Sequence, residues 1–198
     1  MIEIRQTDGY AKWFGGLRDR AAQMRINVRV RRLSLGNPDD VKAVGKGVSE
    51  LRIDYGSGYR VYFTKHGDTV FILLAGGEKR TQEQDIRKAH ELAQNLQEVV
   101  MAKTKTKKWD VVDHLKTKED MAAYLEAVLE DGDPALIAAA LGDIARAAGG
   151  IAKVARETGL GRESLYKALS PEGNPEFSTV LQVVRALGLR LHAAPAAT

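Results

Sequence analysis

The chain has 198 residues, 44% of them apolar, enough for one large domain or two small ones with their own cores. It contains no cysteine, which excludes disulfides and thiolate metal sites and accords with a reducing cytoplasm. Charge is uneven: residues 1–98 carry 17 Lys and Arg against 13 Asp and Glu, residues 99–109 four against none, and residues 110–198 nine against 13. A basic half, a short basic tract and an acidic half point to nucleic-acid contact or to two mutually attracting pieces. No apolar run approaches the roughly 18 residues of a membrane span. The N-terminus, MIEIRQTDGY, lacks the apolar core of a signal peptide. The four histidines, His66, His90, His114 and His192, show no metal-ligand spacing.

In chain order, residues 2–6 alternate as a short strand. Thr7 or Asp8 then caps a helix to about Leu17, with Tyr10, Trp13, Phe14 and Leu17 at helical spacing. Residues 19–35 predict a second helix with Ala22, Ile26, Val30 and Leu33 as its apolar stripe, stopped by Gly36-Asn37-Pro38. Its arginines Arg25, Arg29, Arg31 and Arg32 stand largely off that stripe and offer either an RNA-contacting surface or a solvated face. Residues 38–47 read as a loop.

Three strands follow, at 50–55, 59–65 and 69–75, separated by the turns Gly56-Ser57-Gly58 and His66-Gly67-Asp68. The period of two puts Leu51, Ile53, Val61 and Phe63 on one face and Arg52, Arg60 and Tyr62 on the other. The third strand is almost wholly apolar, as a strand buried on both faces should be. Two arginines and a tyrosine on one open face, with Lys79 and Arg80 just beyond, suit a phosphate backbone; Arg52 alternatively pairs with Glu50 or Asp54. Residues 81–98 predict a helix with Ile86, Ala89, His90, Ala93 and Leu96 on one face. The first half is therefore βααβββα, an α+β domain with an antiparallel sheet.

With this element order, the run ELRIDYGSGYRVYF and the run ILLAGGEKRTQEQDI resemble the RelE/ParE superfamily of bacterial toxins, in particular its HigB-like, phage-derived branch, over residues 1–98. The resemblance implies a ribosome-dependent endoribonuclease acting on mRNA, in which the RNA 2′-OH attacks the adjacent phosphate and neither metal nor cofactor is required. Arg60 would hold the scissile phosphate, supported by Arg52. Lys79 or Arg80 would stabilise the leaving group or donate a proton, and Tyr62 would stack on a base or orient a hydroxyl. The sequence departs from the RelE pattern at Ile86, where that subgroup carries a tyrosine, and has no histidine clearly placed as a base. ParE-like members of the superfamily instead inhibit DNA gyrase by binding.

Residues 99–108 are polar, basic and aperiodic, a linker in composition, and Met101-Ala102 resembles a translation start, as if two reading frames were joined. Residues 109–132 form an acidic helical segment: Thr117 opens a helix with Asp120 in capping-box position, and Met121, Tyr124, Leu125 and Val128 form its stripe. Asp133-Pro134 starts a helix to Ala148. Residues 151–158 and 162–169 predict two short helices around Gly159, with Ala155, Gly159 and Leu165 where a helix-turn-helix needs a small residue, a turn glycine and a locking apolar residue. The second would offer Arg162, Glu163, Ser164, Tyr166 and Lys167 to DNA. Ser178 or Thr179 caps a last helix ended by Gly188, and residues 189–191 read as a terminal strand.

Residues 109–193 resemble a HigA-like antitoxin with an XRE-type helix-turn-helix, on the runs WDVVDHLKTKEDMAAYLEAVLEDGDPALIAAALGDIARAAG and GLGRESLYKALSPEGNPEFSTVLQVVRALGL. The two resemblances together imply a cytoplasmic toxin–antitoxin fusion. Residues 109–132 would neutralise the toxin half, in cis or between chains, and residues 133–193 would bind operator DNA as an autorepressing homodimer. A repressor whose toxin fold is catalytically inactive is the remaining reading.

Overall fold

The computed structural model describes residues 2–67, 69–99 and 106–193. The chain divides into two compact units, Met1–Asp110 and Val111–Thr198. The first runs β1 (Glu3–Gln6), α1 (Asp8–Gly15), α2 (Arg20–Leu35), β2 (Val41–Gly45), β3 (Val48–Ile53), β4 (Tyr59–His66), β5 (Val70–Glu78), a 3-10 turn (Lys79–Thr81), α3 (Gln82–Val99) and β6 (Lys107–Lys108). Its single sheet has the order β2-β3-β4-β5-β1-β6.

Local chemistry accounts for most boundaries. Thr7 Oγ1 accepts from Tyr10 N (3.1 Å) at the start of α1 and donates to Leu74 O (2.8 Å), tying the helix cap to the sheet. Asp19 accepts from Ala22 N at the start of α2, which ends on Gly36 in the left-handed conformation. The alternation expected for β3 and β4 holds, with Leu51, Ile53, Val61 and Phe63 buried together beneath α2.

Gly76 and Gly77 show why β5 can be covered on both sides. A Cβ on Gly76 would lie 2.1 Å from the Trp13 ring of α1; one on Gly77 would lie 1.9 Å from Asp85 Oδ2 of α3. Successive strand positions face opposite ways, so α1 and α3 close on opposite faces of the same strand, and neither glycine has room for a methyl group. Under α3, Val48, Tyr62, Ile72, Leu74 and Ala75 pack against Ala89, Ala93 and Leu96.

Three features depart from the sequence reading. Residues 41–45, expected within a loop, form β2, so the order before β6 is βααββββα. β2 is an edge strand, half-buried or exposed throughout, with a register shift between Ala43 and Gly45; it lacks the apolar alternation of an inner strand. The sheet is mixed rather than antiparallel, because β1 pairs parallel with β5. The tract expected as linker is not wholly a linker: residues 100–105 lie outside the described residues, but Lys107 and Lys108 pair with Gln6 and Arg5 as β6.

The second unit contains a 3-10 turn (Val111–His114), α4 (Lys118–Asp131), α5 (Pro134–Ala147), α6 (Ile151–Thr158), α7 (Arg162–Ala168) and α8 (Phe177–Ala186). The capping box at α4 forms as expected: Thr117 Oγ1 accepts from Asp120 N (3.1 Å), and Asp120 Oδ2 accepts from Thr117 N (2.9 Å). Asp133 caps α5 with Pro134 in its first turn. The cap of α8 is Glu176 rather than Ser178 or Thr179, and residues 189–191 form no strand. Among the described residues no single helix is long and apolar enough to cross a membrane.

Because these two glycines admit α1 and α3, Gly76→Ala and Gly77→Ala should each lower stability by about 1–3 kcal/mol, the usual range for overpacking. Gly15→Ala, at a helical glycine with nothing within 4 Å, should be neutral or slightly stabilising. Urea unfolding followed by circular dichroism separates the two cases.

Candidate phosphate-binding site

The sheet register places Arg52 directly across from Arg60, and Glu50 across from Tyr62. Two like charges face to face repel, and Glu50 on the same face compensates them. Its carboxylate is fully buried; Arg60 Nε lies 3.0 Å from Oε1 and Arg52 Nε 3.7 Å from Oε2. Gln82, in the first turn of α3, donates to both oxygens at 2.8 and 3.1 Å. A carboxylate removed from water requires such partners, so Glu50 fixes two arginines and one helix end together.

Arg60 Nη1 donates to Tyr59 O (2.8 Å), while Nη2 has no partner among the described residues. Its side chain is 12% exposed and that of Arg52 31%; Arg52 also approaches Asp40 Oδ1 at 3.7 Å. Lys79 and Arg80 are exposed on the turn after β5. Lys79 N donates to Gly58 O (2.8 Å), and Gly58 brings the two cations near each other: a Cβ there would lie 3.6 Å from Arg60 Nη1 and 3.5 Å from Lys79 Cβ. Lys79 carries no ion pair among the described residues, whereas Arg80 pairs with Glu78 (Nε to Oε2, 2.8 Å). Four cations therefore gather at one end of the sheet.

Tyr62 corrects the sequence reading. It shares the face of Arg52 and Arg60, but α3 covers it and its ring is fully buried. It is not placed to stack on a base. Burial, helped by the negative charges of Glu50 and Asp85 and opposed by Arg60, raises its phenol pKa well above the ordinary value, so it remains protonated. Asp85 itself accepts from Thr81 Oγ1 at 2.6 Å.

The arginines of α2 are mostly engaged within the unit. Arg25 lies over the Tyr55 ring at 4.2 Å, Arg29 pairs with Asp39, and Arg32 Nε donates to Asn37 O (3.2 Å). The hydrogen bond and charge of Arg29 hold the Asp39 carboxyl below the usual carboxylate range. The sequence reading did not assign Glu50 or Gln82 to the site. Glu50 was legible as a polar residue on the arginine face; nothing local marks Gln82, which reaches it across 32 residues of chain.

In the second unit, α6 ends on Gly159 in the left-handed conformation and α7 begins after Gly161. Leu165 is buried, while Arg162, Glu163, Ser164, Tyr166 and Lys167 are all exposed. The Arg162 guanidinium lies 5.5 Å from the centre of the Tyr166 ring. These residues thus cover the exposed part of a short helix packed against α6.

Residues 12–98 match the family model described as phage derived protein Gp49-like, and residues 105–195 that of the probable addiction module antidote proteins. Two uncharacterized proteins of Haemophilus influenzae are similar to parts of the chain. One is 45% identical over 95 residues, covering 48% of this chain and 96% of the relative; the other is 48% identical over 84 residues, covering 42% and 86%. No solved structure matches.

If the carboxylate fixes the arginine pair, Glu50→Ala should destabilise the protein by about 3–5 kcal/mol, because two cations lose their buried partner. Gln82→Ala should cost about 1–2 kcal/mol, the value of its hydrogen bonds. Urea unfolding at neutral pH measures both.

Proposed function

Starting from a chain that belongs to the addiction-module families, with a Gp49-like domain followed by an antidote domain, we infer a toxin–antitoxin pair in one polypeptide whose first half cleaves ribosome-bound mRNA. The observation that carries this reading is the cationic end of the sheet: Arg52 and Arg60 oriented by Glu50, with Lys79 and Arg80 beside them. RNA cleavage by its own 2′-OH asks the protein chiefly to hold the chain in line and to stabilise charge on the phosphoryl oxygens. As the 2′-oxygen bonds to phosphorus, the bond to the 5′-oxygen breaks, leaving a cyclic phosphate and a 5′-hydroxyl.

Arg60, with Nη2 uncommitted, takes the phosphoryl oxygens, and Arg52 supports it. The Lys79 stem starts beside Arg60 across Gly58, and its ammonium is assigned to the same phosphate and to protonation of the departing 5′-oxygen. Arg80 reinforces the field from a more exposed position. Arg25, Arg29 and Arg32 contribute positive potential along α2 rather than free side chains, since each already has a partner.

The antidote half neutralises the first half and binds operator DNA as a homodimer through the helix-turn-helix of α6 and α7. Arg162 and Lys167 would meet phosphates or guanine edges; Ser164 and Tyr166 would meet phosphates. The exposure of all five residues on α7 supports this assignment.

Expression of residues 1–99 alone should arrest growth and produce cuts within translated mRNA, mapped by primer extension, while the full chain is tolerated. Arg60→Ala should lower cleavage by about 10²–10³-fold, as removal of one transition-state donor does elsewhere. Arrest with intact mRNA and inhibited supercoiling would identify a gyrase inhibitor. No arrest from residues 1–99, with operator binding retained in the full chain, would identify a repressor with an inactive toxin fold.

For the second half, Lys167→Ala should weaken operator binding and reduce its salt slope by about one, as expected for one phosphate contact. Gel-shift titrations at several salt concentrations test this.

A further inference from the structure

The antidote match begins at residue 105, yet the backbone that follows belongs to the sheet of the first unit. Lys107 and Lys108 pair antiparallel with Gln6 and Arg5, and Trp109 N donates to Ile4 O at 2.9 Å. Arg5 grips the incoming strand with two donors on one residue: Nε to Thr106 Oγ1 and Nη2 to Thr106 O, both 2.8 Å. Its third nitrogen, Nη1, is held by Glu3 Oε1 at 2.9 Å, so the fork is set before the strand arrives. Lys107 Nζ approaches Asp8 Oδ1 at 3.7 Å, and Trp109 is buried at the end of the segment.

We propose that the outer edge of β1 is a strand-accepting dock for residues 106–109, through which the antidote half is held on the toxin half independently of the covalent link, and that Arg5 determines its specificity. The purpose of the dock rests on the toxin–antitoxin reading. Its geometry does not. Without β6, β1 would present a row of unpaired backbone groups, which an added strand satisfies. Backbone pairing accepts many sequences; the Arg5 fork selects one. It requires a hydroxyl on the residue whose carbonyl it also binds, so Thr fits and an apolar residue does not. None of these contacts depends on the chain being continuous between Val99 and Thr106. The dock is also separate from the cationic cluster, because β5 and β1 lie between β4 and β6 in the sheet.

The test is made on the full chain with a protease site placed within residues 100–105, cut after folding. The two pieces should stay together through gel filtration at micromolar concentration. Arg5→Ala should weaken their association at least about tenfold, in line with the loss of two charge-assisted hydrogen bonds. Thr106→Val, which keeps the carbonyl and removes only the hydroxyl, should weaken it by a smaller factor, and Lys107→Pro should disrupt the pairing. Melting of the uncut variants, where the link keeps the strand at high local concentration, shows that each variant is folded. Separation of the cut wild-type pieces overturns the proposal, as does association equally tight in Arg5→Ala and Lys107→Pro. Association is read without any RNA cleavage. A dock that holds in a protein without nuclease activity would overturn the functional reading alone, and a nuclease whose pieces separate would overturn the dock alone.

Discussion

The first unit turns on one buried charge. Glu50 has no access to water, and its three polar partners come from three elements: Arg52 from its own strand, Arg60 from β4 and Gln82 from α3. A carboxylate in that position is tolerable only while it is fully partnered, and the same arrangement lets Arg52 and Arg60 face one another across two strands. The consequence extends outward. Arg60 has its Nε beside the carboxylate and one terminal nitrogen on Tyr59 O, so the guanidinium has a fixed orientation and presents the remaining nitrogen. Orientation of that kind is what a phosphate-binding arginine needs, since a rigid fork loses little freedom when its ligand arrives.

The sheet is built from its centre outward around β5. Its two glycines let α1 and α3 press on opposite faces, and its neighbours are antiparallel β4 on one side and parallel β1 on the other. The two edges are handled differently. β2 is short, carries Lys42 and a register shift, and is followed by Lys46 between two glycines of positive φ, all features that discourage further pairing. β1 is also short and carries Glu3 and Arg5, but it has no register shift and is paired on its outer side with β6. One edge is therefore blunted by its own sequence, and the other is completed by residues that fall within the antidote match, whereas β2 to β5 fall within the Gp49-like match.

Residues with a local rule were legible from the sequence. Period two sorted β3 and β4 correctly between faces, and capping chemistry located α4, α5 and α6, including the reciprocal Thr117–Asp120 pair. Residues whose fate depends on distant chain were not. Tyr62 lay on the expected face, but only α3, some 20 to 30 residues later, decides that this face is covered there and open nearer Arg60. β2 escaped because an edge strand need not alternate, and β6 because Lys107 and Lys108 owe their strand to β1, a hundred residues earlier. The pairing of Arg52 with Glu50 was open in the sequence and is present in the structure; what the sequence did not show is that Arg60 and Gln82 share the same carboxylate.

The charge count gives where the basic residues lie along the chain, not which of them are already engaged. The basic excess of the first half is concentrated in α2, yet Arg25, Arg29 and Arg32 each face a partner inside the unit, and Arg31 is buried against Ser34. Those residues brace a helix against its neighbours. Among the described residues, Lys79 has no ion pair, Arg60 keeps one nitrogen uncommitted, and Arg162 and Lys167 are exposed on α7. A guanidinium already bound to carboxylate must exchange one partner for another before it holds phosphate, whereas an uncommitted one has only its own hydration to give up. Arg60 is also beside a carboxylate, but Glu50 engages its Nε, so Nη2 can take a further acceptor without breaking that pair.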